Sequence, residues 1–277
     1  DVYEIGMSNL ALQILYKVMN DIDLTAWINE NSPEKGWPAI GRNSTVATYI
    51  NGAGHKVSGL WVNSTEDYNG LFSNYSAGYI KNLTVEVASG KKVKGGDYTG
   101  VINCKVLGDV EGSAHVGGVV GYIENSELTN DGYSGNVVSS TDNAFVGGVA
   151  GMVKNVVVSD NCSNATVNST GSDASVGGLF GMIEDGSITM SFANVKLSAS
   201  GVNGNIGGLV GYSKAPISLS YTTGAVNATG ANSYTGGLLG YSVGDVSNSY
   251  SMAEVNGTYY VAGLVAYTHG SVDKCIA

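Results

Sequence analysis

The sequence predicts an all-β fold: a single-stranded parallel β-helix, coiled right-handed by the crossover preference. Each coil takes about 30 residues and about three short strands, and a short N-terminal helix caps the stack. Three observations carry this reading. A glycine-rich heptapeptide returns at near-constant spacing. Two aliphatic positions keep nearly fixed offsets from it. The residues in between are strand and turn formers, with 41 glycines among 277 residues.

The heptapeptide first stands at Val116-Gly117-Gly118-Val119-Val120-Gly121-Tyr122 and then at Val146 to Met152 and Val176 to Met182. It returns at Ile206 to Tyr212, at Thr235 to Tyr241 and, degraded, at Val261 to Tyr267, in steps of 30, 30, 30, 29 and 26 residues. A first aliphatic mark follows 10 or 11 residues after each first small residue, at Leu128, Val158, Ile188, Ile217, Val246 and Val272. A second stands nine residues later, at Val137, Val167, Leu197, Val226 and Val255. Length variation gathers between these segments, as short strands joined by adjustable corners require. Helical repeats are the rival at this period, but Gly, Ser, Thr, Asn and Val dominate each unit and are poor helix formers. One unit cannot bury its own apolar face, so equivalent strands must stack about 4.8 Å apart, with Leu179, Leu209 and Leu238 above one another inside.

Upstream the pattern loosens. Gly70-Leu71-Phe72 stands in place of the later Gly-Leu-Val, and Ile80 lies eleven residues after Asn69. The stretch from Lys91 to Gly100 is irregular. Met7, Leu10, Ala11, Ile14, Leu15 and Val18 have helical spacing, with Ser8 as N-cap. These features divide the chain into a cap and lead-in over 1–45 and the solenoid over 46–277. The stop in mid-coil at Ala277 leads us to expect a segment of a longer protein, and the start at Asp1 fits either a removed signal peptide or a segment that begins there.

The Gly-Gly-Leu-Val-Gly-Tyr run at 207–212, with Ile-Ser-Leu-Ser-Tyr behind it at 217–221, resembles the GLUG repeat of large bacterial surface proteins, including the stalks of some IgA proteases and adhesins. The lead-in around Asn20 to Leu24, Trp37 to Gly41 and Tyr49 to Leu60 fits the same pattern. The resemblance implies a secreted or cell-surface bacterial protein and carries no catalytic residues.

Composition narrows the partners. Thirteen basic against 23 acidic residues give a net charge of −10, and Arg42 is the one arginine, which argues against nucleic acid and anionic membranes. No apolar run approaches the ~18 to 20 residues of a membrane-spanning helix. Cys104, Cys162 and Cys275 fall on coils too far apart to pair, and buried thiols are expected. His55, His115 and His269 are scattered without metal-ligand spacing, and Asp21 with Asp23 supplies too few oxygens for calcium, so no cofactor is expected. Gly240-Tyr241-Ser242-Val243-Gly244 matches a nucleophile elbow, but it lies inside a repeat whose sibling carries Ser213.

Aromatic positions are the best candidates for contact. Tyr122, Tyr212, Tyr241 and Tyr267 share one register, with Met152 and Met182 between them, and Tyr133, Phe192, Tyr221 and Tyr250 share a second. Turned outward, such ladders offer ring faces to sugars or protein loops; turned inward, they are packing. Trp27, Trp37 and Trp61 fit a role in closing the cap. The reading is a non-enzymatic β-helical surface module, adhesin-like or stalk-like, with host proteins or glycans as partners. The competing reading is a polysaccharide-active β-helix enzyme, for which Lys91, Lys92 and Lys94 form the one cationic cluster.

Overall fold

The computed structural model describes residues 14–40, 48–72, 78–95, 105–125 and 127–277. The protein is a parallel β-solenoid. Equivalent strands of successive coils hydrogen-bond into one twelve-stranded sheet, three six-stranded sheets and a small three-stranded sheet in the lead-in. Every pairing between described strands is parallel, with register steps that follow the repeat. Leu128, Val158, Ile188, Ile217, Val246 and Val272 form one line, and Val137, Val167, Leu197, Val226 and Val255 another.

The regular coil has four strands where three were expected. One coil runs through Cys162–Ser169, Ser175–Gly177, Phe180–Ile183 and Gly186–Thr189 before Phe192–Ala199 begins the next. The heptapeptide makes the difference, because its central Gly-Leu pair is a corner that splits it between two sheets. There the backbones of successive coils close tightly: Gly178 N–H bonds to Gly208 O at 3.1 Å, and Leu179 N–H to Leu209 O at 2.9 Å. A Cβ on Gly178 would lie 2.1 Å from Gly208 O, so glycine is required. The leucine beside it turns inward. Leu179, Leu209 and Leu238 are fully buried and joined through their backbones, Leu209 N–H meeting Leu238 O at 2.8 Å. Burying each such side chain contributes about 1.5–3 kcal/mol.

In the longest strands alternate residues point inward. Ser163, Ala165, Val167 and Ser169 are buried along Cys162–Ser169, while Asn164 faces solvent. Inside the next corner runs a polar ladder. Asn161 Oδ1 accepts the Asp131 N–H at 3.0 Å, and the hydroxyls of Ser191, Ser220 and Ser249 accept the N–H groups of Asn161, Ser191 and Ser220 at 3.2–3.3 Å. This satisfies donors that a buried corner would otherwise orphan.

The lead-in departs from expectation. Ile14–Lys17 is a strand paired with Thr48–Asn51, not the end of a helix, and Met7 to Gln13 lies outside the described residues. A neighbouring strand's hydrogen bonds and the β-prone Ile-Leu-Tyr run override the helical spacing. The helix stands later, at Thr25–Asn31, and buries Ile28 completely. The 30-residue step already operates here, since Ile50 pairs with Ile80. One coil further on, Lys105–Leu107 and Asp109–Gly112 form a long strand broken at Gly108.

Candidate functional site

Two outward surfaces concentrate chemistry. The first flanks the Gly-Leu corner. Tyr122, Met152, Met182, Tyr212, Tyr241 and Tyr267 occupy consecutive rungs, all half-buried. Tyr212 stacks on Tyr241 with centroids 5.1 Å apart, and Tyr241 on Tyr267 at 4.9 Å. Tyr122 stands apart, behind the two methionines; its hydroxyl donates to Glu124 at 2.9 Å, and Lys154 pairs with that carboxylate at 3.1 Å. The Lys154 hydrogen bond lowers the Glu124 pKa, while partial burial raises that of Tyr122. The structure therefore gathers three of the four predicted tyrosines into one stack.

The corner also recruits residues that the repeat reading passed over. Tyr234 and Tyr260 stack at 5.1 Å on the other side of the corner, and Tyr234 meets Tyr241 and Tyr267 edge-on at 5.7 and 5.5 Å. The Tyr241 hydroxyl lies 2.8 Å from His269 Nε2, and Tyr259 packs against Tyr260. Their signal was present, because Tyr234 and Tyr260 both stand two residues before the first small residue of their motifs. The rings stack along the coil axis, so their faces meet one another and their edges and hydroxyls face solvent.

The second surface is the outer face of the longest strands. Phe192, Tyr221 and Tyr250 stack at 5.1 and 4.9 Å with planes within 4°. Tyr133 does not belong to this ladder. Gly132 and Cys162 hold its rungs, and Tyr133, one residue on, points inward at 3% exposure and donates to Gly108 O and Asn136 O. A one-residue offset in a strand moves a side chain to the opposite face. Two positions along the strand from the ring ladder, Asn194 Nδ2 donates to Asn164 Oδ1 at 3.1 Å, and the Thr223 hydroxyl donates to Asn194 Oδ1 at 3.1 Å. A groove of about 580 Å³ runs along this face over four coils.

The remaining candidates have structural partners. Ser242 is buried and donates to Gly244 O at 2.8 Å, as Ser213 does to Ala215 O, and neither lies on a strand-to-helix turn. Lys92 and Lys94 pair with Glu111, and Lys91 lies over the Trp61 ring at 4.7 Å. Asp21 accepts the Lys56 N–H at 3.0 Å, which lowers its carboxyl pKa, and hydrogen bonds from the Thr25 side chain and from the Thr25 N–H, the latter at 2.9 Å, lower that of Asp23. Trp27 and Trp37 meet edge-on at 5.1 Å, and the Trp61 carbonyl accepts the Trp37 N–H. Cys162 and Cys275 are free thiols, half-buried rather than fully buried, and Cys104 lies outside the described residues. Among the described residues no three His, Cys, Asp or Glu side chains gather as a metal site, and no helix is long and apolar enough to cross a membrane.

Stacked rungs, glycine corners and outward aromatic ladders define the class: a repetitive parallel β-solenoid. No family model matches the chain. A stretch of 73 residues is 36% identical to a protein of Evansella cellulosilytica named "Putative Gly-rich membrane protein", covering 25% of this chain and 8% of that one. Among solved structures, that of a "putative immunoglobulin A1 protease" from Bacteroides ovatus aligns over 96% of this chain and 68% of that chain, at 18% identity and a TM-score of 0.45.

Proposed function

We propose that this protein is a non-enzymatic, extracellular β-helical module of a bacterial cell surface, part of a longer chain, that holds a contact surface away from the cell. The observation carrying this reading is the Tyr212, Tyr241 and Tyr267 stack, held outward on rungs that keep register through six coils. Hydrogen-bonded rungs make a stiff support, and half-exposed tyrosine edges and hydroxyls suit contact with a host protein or glycan. The GLUG resemblance of the 207–212 run supports an adhesin or stalk role. The name of the Evansella cellulosilytica relative supports a place at a membrane surface.

The test is a binding screen of the folded chain against extracellular-matrix proteins and a glycan array, with Tyr241→Ala and Tyr122→Ala alongside. Binding weakened by Tyr241→Ala is expected. A screen without hits would leave only the spacer role, and release of reducing ends from a polysaccharide panel would overturn the non-enzymatic assignment.

A further inference from the structure

Six of the 17 tyrosines meet within the last three coils: Tyr212, Tyr234, Tyr241, Tyr259, Tyr260 and Tyr267. Contact by contact their centroids lie 4.4–6.4 Å apart, so every ring reaches every other through phenol neighbours. The cluster stands outside the core, and Tyr259 and Tyr260 are 56% and 44% exposed. Phenol rings in mutual contact share one property whatever they touch. An electron missing from one ring is stabilised by the electron-rich faces of its neighbours.

A phenol that loses an electron must also lose its proton, because its radical cation is a strong acid. That proton needs a base within hydrogen-bond distance. Tyr241 has one: its hydroxyl lies 2.8 Å from His269 Nε2. In the tautomer with the ring proton on Nδ1, Nε2 is the acceptor, and the exposed imidazole can pass the proton to solvent. The other tyrosines differ. Tyr133 is buried and donates to two backbone carbonyls. Tyr122 donates to the Glu124 carboxylate, but the Met152 and Met182 rungs separate it from the cluster. Tyr221 and Tyr250 stack on one another, and among the described residues neither hydroxyl has a base beside it.

We propose that this cluster is a site of oxidative tyrosine cross-linking: a haem peroxidase supplied with hydrogen peroxide takes an electron from Tyr241, His269 takes its proton, and the radical moves to Tyr259, where two copies of the chain couple. Tyr234 bridges the two residues, 5.7 Å from Tyr241 and 6.4 Å from Tyr259. Tyr259 is the exit because it is the most exposed ring of the six. Each copy gives up one electron and one proton, and the peroxide takes both pairs to become two waters. A carbon–carbon bond forms between the ring positions ortho to the two hydroxyls. The hydrogen on each of those carbons then moves to its own oxygen, which restores both phenols. The chemistry does not depend on the contact role proposed above, so an empty binding screen would leave it standing.

The test incubates the folded chain with a haem peroxidase and hydrogen peroxide, follows dityrosine fluorescence, and maps cross-linked peptides by mass spectrometry. A covalent dimer two hydrogens lighter than two chains is expected, joined at Tyr259. Tyr259→Phe should lose it. Tyr241→Phe and His269→Phe should slow its formation at least about tenfold, and Tyr250→Phe should leave the rate unchanged. Phenylalanine keeps a ring at each position, so the stack survives. Added imidazole should restore the rate of His269→Phe and not that of Tyr241→Phe, which a packing role for the histidine would not produce. Cross-links that map elsewhere, or a rate indifferent to Tyr241→Phe and His269→Phe, overturn the proposal. So does a chain that loses two hydrogens without dimerising, because the radical then ends inside the cluster.

Discussion

Replacing Asp131 by Asn should stabilise the protein in alkaline buffer and leave it nearly unchanged in acid. Asp131 sits on the inner polar ladder at 8% exposure, where burial raises its carboxyl pKa from 3.8 to about 7, against a smaller opposing pull from the Thr129 backbone. Its counterparts Ser191, Ser220 and Ser249 each donate a hydroxyl proton to the carbonyl two residues back, at 2.7–2.9 Å. An ionised Asp131 has no such proton. The folded state therefore holds the proton more tightly than the unfolded chain. Stability from this group is whole below about pH 4 and is lost as pH rises through 7. Three pH units at 1.36 kcal/mol each make the full span about 4 kcal/mol, of which about 2–3 kcal/mol falls between pH 5 and 8.5. Asn fits the position, since Asn161 occupies the next rung and donates to Leu128 O at 2.7 Å and Ser159 O at 3.0 Å. Urea unfolding followed by circular dichroism at both pH values measures the difference, and amide exchange along Leu128–Val137 reads the same coil locally. Equal pH slopes for wild type and Asp131→Asn, or a variant less stable than wild type at pH 8.5, would refute the reasoning. Glu111, whose pKa the Lys92 hydrogen bond lowers, loses its stabilising effect only as pH falls through the acid range, so it does not imitate this signal.

Other substitutions probe the stack itself. Leu209→Ala should cost about 2–5 kcal/mol in urea unfolding, because the cavity opens between two fully buried leucines. Gly208→Ala should abolish cooperative unfolding of the central coils, since its Cβ would lie 2.0 Å from Gly237 O. Leu219→Asn should raise stability by about 1 kcal/mol in the same assay by relieving left-handed strain. Tyr241→Ala removes two stacked contacts and should lower stability by about 1–3 kcal/mol, measured by thermal melting.

The axial register was legible because it is translational. Once Val158, Ile188 and Ile217 recur at matching offsets, parallel stacking leaves one alignment, and the structure keeps it. The in-plane path of each coil was less legible. A Gly-Gly-Leu corner and a continuous strand carry the same periodic signal, so the fourth strand was hidden inside the heptapeptide. Tyr133 shows the sensitivity of facing to a single residue: aligned by eye with Phe192 it looks exposed, yet the 30-residue step matches Phe192 to Cys162 and Gly132. The N-terminal misreading has another cause. Ile14, Leu15 and Val18 suit a helix in isolation, and only the neighbouring Thr48–Asn51 strand decides against it. Asp131 was unreadable as a titrating group because sequence reports charge but not solvent, and the inner ladder becomes visible only when the coil is closed.

In the regular coils, the between-coil hydrogen bonds of all four sheets point along the long axis. A load applied between the two ends therefore strains each terminal turn like the first teeth of a zip, opening bonds a few at a time instead of shearing a whole sheet together. Each detached turn frees about 30 residues, or about 100 Å of slack at full extension, so under tension such a column would pay out line in even lengths while the turns behind it stay wound.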